Sequence, residues 1–146
     1  MIVREAPAYR NRGTGRFCRL LPALAAASVA AFAIRRCLGR FVVRGPSMEP
    51  TLRDGDRLLV LRGPASLLRL GPDALVLART SAVPDREIVK RIAAVRHSPR
   101  GPLYLLLGDN PHASTDSRHF GAVPRSSISG RILVRYWPDD RRGRVR

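Results

Sequence analysis

The sequence predicts an all-β domain, a barrel or sandwich, with one apolar helix at its N-terminus. Three observations lead there. Its 146 residues, 45% of them hydrophobic, suffice for one compact domain with short appendages. Only one stretch, Leu20 to Ile34, is long and free of charge. From Phe41 to Pro138, short β-branched or Leu-rich runs alternate with Gly, Pro and Asp, the texture of strands joined by tight turns.

Residues 1–19 carry five arginines among glycines without an apolar period and read as a flexible basic arm. Residues 20–38 read as an apolar helix and a candidate membrane anchor. Its charge-free core, LLPALAAASVAAFAI, spans about 22 Å as a helix, short of a bilayer core of roughly 30 Å. Arginines at both ends can snorkel to close part of the gap. A signal-peptide core fits less well, since Arg35 and Arg36 follow where a small-residue cleavage site belongs; a soluble apolar helix remains the third reading. Cys18 and Cys37 would lie roughly 28 Å apart along such a helix, too far to bond to each other. Two cysteines also exclude a disulfide framework and a four-ligand zinc site.

The domain at 41–138 then supplies strand candidates in order: FVVR, RLLVL after Asp54-Gly55-Asp56, ALVLAR after Gly71-Pro72-Asp73, EIVKRIAAVR, LYLLLG and SGRILVRYW. Ser66 to Leu70 reads as one helical turn. The charged tail, 139–146, reads as frayed. The formal charge of +16 suits nucleic acid or an anionic membrane. The arginines, however, are spread along the whole chain and aromatics are only 5%, so no stacking platform is formed. A basic binding module for nucleic acid or a membrane surface is therefore the rival to an enzyme.

Among 27 basic residues Lys90 is the sole lysine. Strand alternation places it with Ile88, Ile92 and Ala94 on one face, while Glu87, Arg91 and Val95 point the other way. An ammonium among isoleucines is poorly solvated, which lowers its pKa toward that of a proton acceptor. Arginine cannot serve this way, because guanidinium stays protonated. The competing reading is a chance remnant that snorkels to solvent. Ser47 lies in RGPSMEPTL, where Gly45, Pro46 and Pro50 fix a rigid bend beside Met48. A serine hydroxyl becomes a useful nucleophile when a neutral lysine takes its proton, although turn serines are commonly structural. The third segment, GDNPHASTDSRHFG from Gly108 to Gly121, is by itself a polar loop.

In this order, GPSMEPTLRDGD, IVKRI and GDNPHASTDSRHFGAVP resemble the signal peptidase I family of Ser-Lys peptidases, over roughly residues 41–138. The resemblance implies a serine endopeptidase with Ser47 as nucleophile and Lys90 as general base. It further implies that Ser114 orients the Lys90 amine, that Asp116 and Arg118 form an ion pair beneath the site, and that Asp109 holds the loop. One position departs from some members: Gly45 stands where they carry a hydroxyl that assists the oxyanion hole, as in the mitochondrial inner-membrane branch. Oxyanion stabilisation then falls mainly on the Ser47 N–H.

The 17 residues between Lys90 and Gly108 leave no room for a large inserted domain. The loop followed by RYWP is most similar to the nickel-type superoxide dismutase maturation proteases, which implies removal of a leader from that dismutase precursor. Minimal signal peptidases and mitochondrial inner-membrane peptidases share much of the loop and stand as the alternative. No cofactor or metal is implied, and His112 and His119 read as loop residues. The expected partners are a precursor protein with an N-terminal leader and a membrane, with no specific nucleic acid. The expected location is membrane-associated, single-pass through 20–38, with a cytoplasmic protein as the alternative.

Overall fold

A computed structural model describes residues 28, 31–32, 35–63 and 70–145. The chain divides into two units, Met1–Arg35 and Arg36–Arg146. In the first, Ser28, Ala31, Phe32 and Arg35 are helical and exposed. The basic arm at 1–19, most of the expected anchor at 20–38 and the expected turn at Ser66–Leu70, apart from Leu70 itself, lie outside the described residues. Among the described residues no helix is long and apolar enough to cross a membrane.

The second unit is one antiparallel sheet of seven strands: β1 (Leu38–Val42), β2 (Arg57–Arg62), β3 (Leu75–Thr80), β4 (Val83–Ser98), β5 (Gly101–Leu107), β6 (Val123–Pro124) and β7 (Ile128–Trp137). Their order is β1-β2-β7-β3-β4-β5-β6, so β1 and β6 are the edges. The helical run ends at Cys37 and Leu38 already pairs with Leu61. The sheet thus begins three residues before Phe41, inside the segment expected to be helical. Leu38 and Val42 are the apolar ends of a short edge strand that pairs with β2 along its one inner side.

Burial on both faces explains the unbroken apolar run of β3. Leu75 and Leu77 join Val43, Met48, Leu52, Leu58, Val60, Val89 and Ile132 in one core, while Val76 and Ala78 join Ile92, Tyr104, Leu106, Val123 and Ile128 in the other. Alternate residues of a single strand therefore seal two apolar layers, the sandwich logic realised within one continuous sheet.

Two expectations are corrected. Ala94 was placed on the face of Lys90 and Ile92, with Val95 opposite; instead Val95 packs against the core that holds Ile92. The β4–β5 register shifts between Ile92 and Ala94, and a bulge of one residue inverts the alternation beyond it. The tail is docked rather than frayed. Gly143 bridges Arg135, Val145 packs against the first core, and Arg141 reaches the buried Asp56.

Candidate active site

The bend carrying Ser47 is built by hydrogen bonds on both sides. Val43 donates to the Asp56 carbonyl at 2.8 Å, and Gly55 donates back to Val43 at 3.0 Å. Gly45 sits at φ +83° with its N–H given to Asp54 Oδ1 at 2.8 Å. That φ favours glycine, so the missing hydroxyl at this position accompanies a backbone that a side chain would strain. Because its N–H is committed to Asp54, Gly45 offers no donor to an oxyanion. Met48 and Leu52 are fully buried and bonded to each other, Leu52 N–H to Met48 O at 2.8 Å. They anchor the bend in the first core and leave Ser47 half-buried at its tip.

Beneath this bend lies a residue that the sequence reading passed over as part of a turn. Asp56 is fully buried and holds Arg141 Nη2 at 2.8 Å, Arg135 Nη1 at 3.3 Å and the Arg53 N–H at 3.0 Å. Arg135 also donates to the Thr51 carbonyl at 3.0 Å. A buried carboxylate persists only when it is paired and hydrogen-bonded, and here its partners come from β7 and the tail. Burial of Asp56 is thus the physical reason that the tail docks.

Lys90 lies in mid-β4 opposite Val76 and is 2% exposed. It makes no ion pair or hydrogen bond with any described residue. Burial pushes its amine below the ordinary 10.5; the charges of Asp116 and Asp109 oppose this and that of Arg118 adds to it. Lysine is the cation that can respond by shedding its proton.

The loop after β5 reaches the Ser47 bend and the residue next to Lys90. Asp109 pairs with Arg91, the residue after Lys90, in a bidentate contact at 2.6 and 2.8 Å. Burial raises the Asp109 carboxyl, but Arg91 and the Thr51 hydroxyl outweigh it and the net shift is downward. Asn110 donates its N–H to the Ser47 carbonyl at 3.1 Å, which pins the loop to the bend. Asp116, fully buried, caps the short helix α1 (Ser117–Phe120). It accepts from Arg118 Nη2 at 2.6 Å and Nε at 2.9 Å, from the Gly108 N–H at 2.9 Å and from the Ser114 hydroxyl at 2.8 Å. Burial alone would raise this carboxyl, yet these donors hold it well below the usual range.

Ser114, expected to bond the Lys90 amine, therefore spends its only proton on Asp116, whose charge makes it the stronger acceptor. Toward any amine Ser114 can act only as an acceptor. Gly108 has a packing reason to be glycine: a Cβ there would lie 2.1 Å from Ser114 Oγ and 2.6 Å from the Ser47 carbonyl oxygen.

A cleft of about 510 Å³ has Ser47 and Lys90 in its wall, with Gly45, Met48, Ala113 and Thr115; Asp109, Ser114, Asp116 and Arg118 are not among its wall residues. The two side chains face one space without being hydrogen-bonded to each other; such contacts commonly close only around substrate. His112 lies exposed on a 3₁₀ turn, and His119, also exposed, accepts the Asp116 N–H as part of the α1 cap. Neither histidine is among the residues of the cleft wall. Among the described residues no cluster of His, Cys, Asp and Glu is arranged to hold a metal. The arrangement supplies a poised hydroxyl, a desolvated amine and a charged scaffold: the requirements of acyl transfer.

Comparison with known proteins agrees with this chemistry. Residues 17–96 and 99–137 match the family described as "Signal peptidase, peptidase S26". The chain is 36% identical over 124 residues to mitochondrial ATP-independent inner membrane protease subunit 1a of Arabidopsis thaliana, covering 71% of this chain and 73% of that one. It is 34% identical over 119 residues to mitochondrial inner membrane protease subunit 1 of Xenopus tropicalis, covering 69% and 71%. To a probable signal peptidase I-2 of Synechocystis it is 33% identical over 135 residues, covering 66% and 62%. None of these three names is that of a dismutase maturation protease.

Proposed function

The chain belongs to the peptidase S26 signal peptidase family and is a serine peptidase, a hydrolase; from that premise we propose that Ser47 and Lys90 form its catalytic dyad and that it removes an N-terminal leader from a precursor protein. The observation that carries the reading is the shared cleft, lined both by a hydroxyl on a rigid bend and by a 2% exposed lysine that no described residue hydrogen-bonds.

In the proposed cycle Lys90 enters as the neutral amine and takes the proton of Ser47 as its oxygen attacks the scissile carbonyl. The tetrahedral oxyanion leans on the Ser47 N–H. The ammonium then protonates the leaving amine, which departs with the mature chain and leaves the leader as an ester on Ser47. Lys90, neutral again, deprotonates a water that attacks the ester and returns the proton to Ser47. Ser114 acts as acceptor for an N–H of Lys90, turning the amine's lone pair toward Ser47. Asp116 fixes Ser114 in that role, Arg118 keeps Asp116 ionised, and Asp109 with Arg91 holds the loop against β4. Met48 and Gly45 position the nucleophile.

The finer substrate reading is a nickel-type superoxide dismutase precursor, supported by the similarity of the GDNP-to-VP loop and of RYWP to its maturation proteases. The names of the relatives support a second reading, a general protease of exported or inner-membrane precursors. In either case we place the protein at a membrane, through residues 20–38. Co-expression with a dismutase precursor, reading the product N-terminus by mass spectrometry, tests the substrate. Trimming that Ser47→Ala and Lys90→Arg each abolish supports the first reading. An untouched dismutase beside cleaved exported precursors supports the second, and activity retained by both variants overturns the dyad. Salt-dependent duplex binding indifferent to Ser47→Ala would favour the basic binding module instead.

A further inference from the structure

The charges around the cleft do not cancel. Four of its lining residues are charged types: Arg44, Arg86, Glu87 and Lys90. Glu87 is already spent. It receives both Nη atoms of Arg62 at 2.9 and 2.8 Å and lies 3.5 Å from Arg79. Lys90 is biased by burial toward its neutral form. Arg44 and Arg86 are exposed and have no hydrogen-bond or ion-pair partner among the described residues. Within the cleft wall no free carboxylate is left to answer them.

Their positions relative to the reacting atoms follow from the chain. Arg86 precedes Lys90 by four residues of β4, a separation of about 13 Å. Arg44 precedes Ser47 by three residues, at most about 11 Å even if fully extended. Four residues of extended chain span about 13 Å, so a substrate lying along this cleft with its scissile bond at Ser47 can bring side chains within about four positions of that bond near both guanidiniums. Two exposed cations lining a groove, paired with no described residue, attract an anionic side chain and repel a cationic one.

Resting on the peptidase reading above, we infer that Arg44 and Arg86 are specificity residues that select substrate segments bearing an acidic side chain within about four positions of the cleaved bond. Arginine suits the role, since its fork binds a carboxylate bidentately. Both side chains lie outside the cores, so replacing them leaves the fold intact.

The test uses the full chain in detergent micelles with a pool of randomised extended peptides, the products read by mass spectrometry. Wild type, Ser47→Ala, Arg44→Glu, Arg86→Glu and the double variant are compared at low and high salt. We expect Ser47-dependent cleavage enriched for Asp or Glu near the cut. For a matched acidic and neutral peptide pair the preference in kcat/KM should be roughly three- to tenfold, the scale of two partly exposed ion pairs. The double variant should reverse the preference toward Lys and Arg, and high salt should flatten it. Ser47-dependent cleavage without acidic enrichment, or with enrichment unchanged in the double variant, overturns the inference and leaves the peptidase intact. Cleavage by no protein in the set, or cleavage that survives Ser47→Ala, overturns the peptidase reading and this inference with it.

Discussion

Replacing Gly108 by alanine tests whether the site is assembled by close packing between its loop and the Ser47 bend. The added methyl would sit 2.1 Å from Ser114 Oγ, 2.6 Å from Ser114 Cβ and 2.6 Å from the Ser47 carbonyl oxygen. Ordinary contact requires about 3.5–4.0 Å, so the two sides must part by roughly 1 Å. Neither side is free to yield. Ser114 is tied to Asp116 at 2.8 Å and the Ser47 carbonyl to Asn110 at 3.1 Å. Overpacking of this kind costs about 1–3 kcal/mol, and each hydrogen bond sacrificed adds about 1 kcal/mol. The expected destabilisation is therefore about 2–5 kcal/mol, read as a lower urea midpoint at unchanged slope. Because a displacement near 1 Å at reacting groups costs on the order of a hundredfold in rate, kcat on a cleavable precursor should fall at least that far even where the protein remains folded. Gly45→Ala is the control. No atom lies within 4 Å of its Cβ, so only the φ of +83° is strained, at about 1–2 kcal/mol. If Gly108→Ala matches wild type in both midpoint and kcat, the packing argument is wrong.

The remaining expectations concern charge. Lys90→Met should abolish cleavage yet keep or raise the urea midpoint, since it removes a buried amine that no described residue pairs with; a loss above about 1 kcal/mol would show that the amine stabilises the fold. The rate should rise with pH through one ionisation below 10.5, the ordinary lysine value. Asp116→Asn removes a charge that favours the ammonium and should move that limb to lower pH, whereas Arg118→Gln should move it higher; shifts of the opposite sign would reject the assignment to Lys90. Glu87 is lowered from 4.5 to about 2, chiefly by Arg62. Its stabilisation is therefore complete above pH 4.5 and fades as pH falls toward about 2. Glu87→Gln should cost at most about 3 kcal/mol at neutral pH, less what solvent reaching Arg62 removes, and the difference should shrink in acid; a cost independent of pH would refute this. Arg141→Ala should cost about 1–3 kcal/mol, below the full penalty of an orphaned buried charge because Arg135 still contacts Asp56; an unchanged midpoint would contradict the docking of the tail.

Much of the site could be read from the chain because its information is local. Six of the seven strands follow from apolar runs between turn formers, since alternation and turn chemistry operate over a few residues. β6, two residues long, is too short to carry a pattern. Lys90 stood out by composition alone, as the one cation able to lose its proton among apolar neighbours. The bend at Ser47 was legible through Gly45 and the prolines, whereas the pairing of Asp116 with Arg118 was expected only from the family resemblance.

What the chain did not disclose is what depends on partners distant in sequence. Asp56 reads as a turn residue until folding buries it beside Arg135 and Arg141, 79 and 85 positions away. Arg91 acquires its role only when the β4–β5 register brings Asp109 alongside, and Val95 changes face because of a bulge that no residue pattern announces. Ser114 gives its proton to Asp116, a buried pairing that depends on the backbone of the loop being placed. Local propensity and period fix the strands and the chemically distinctive residues. Burial, register and the choice among competing polar partners are properties of three-dimensional proximity, and tertiary structure alone decides them.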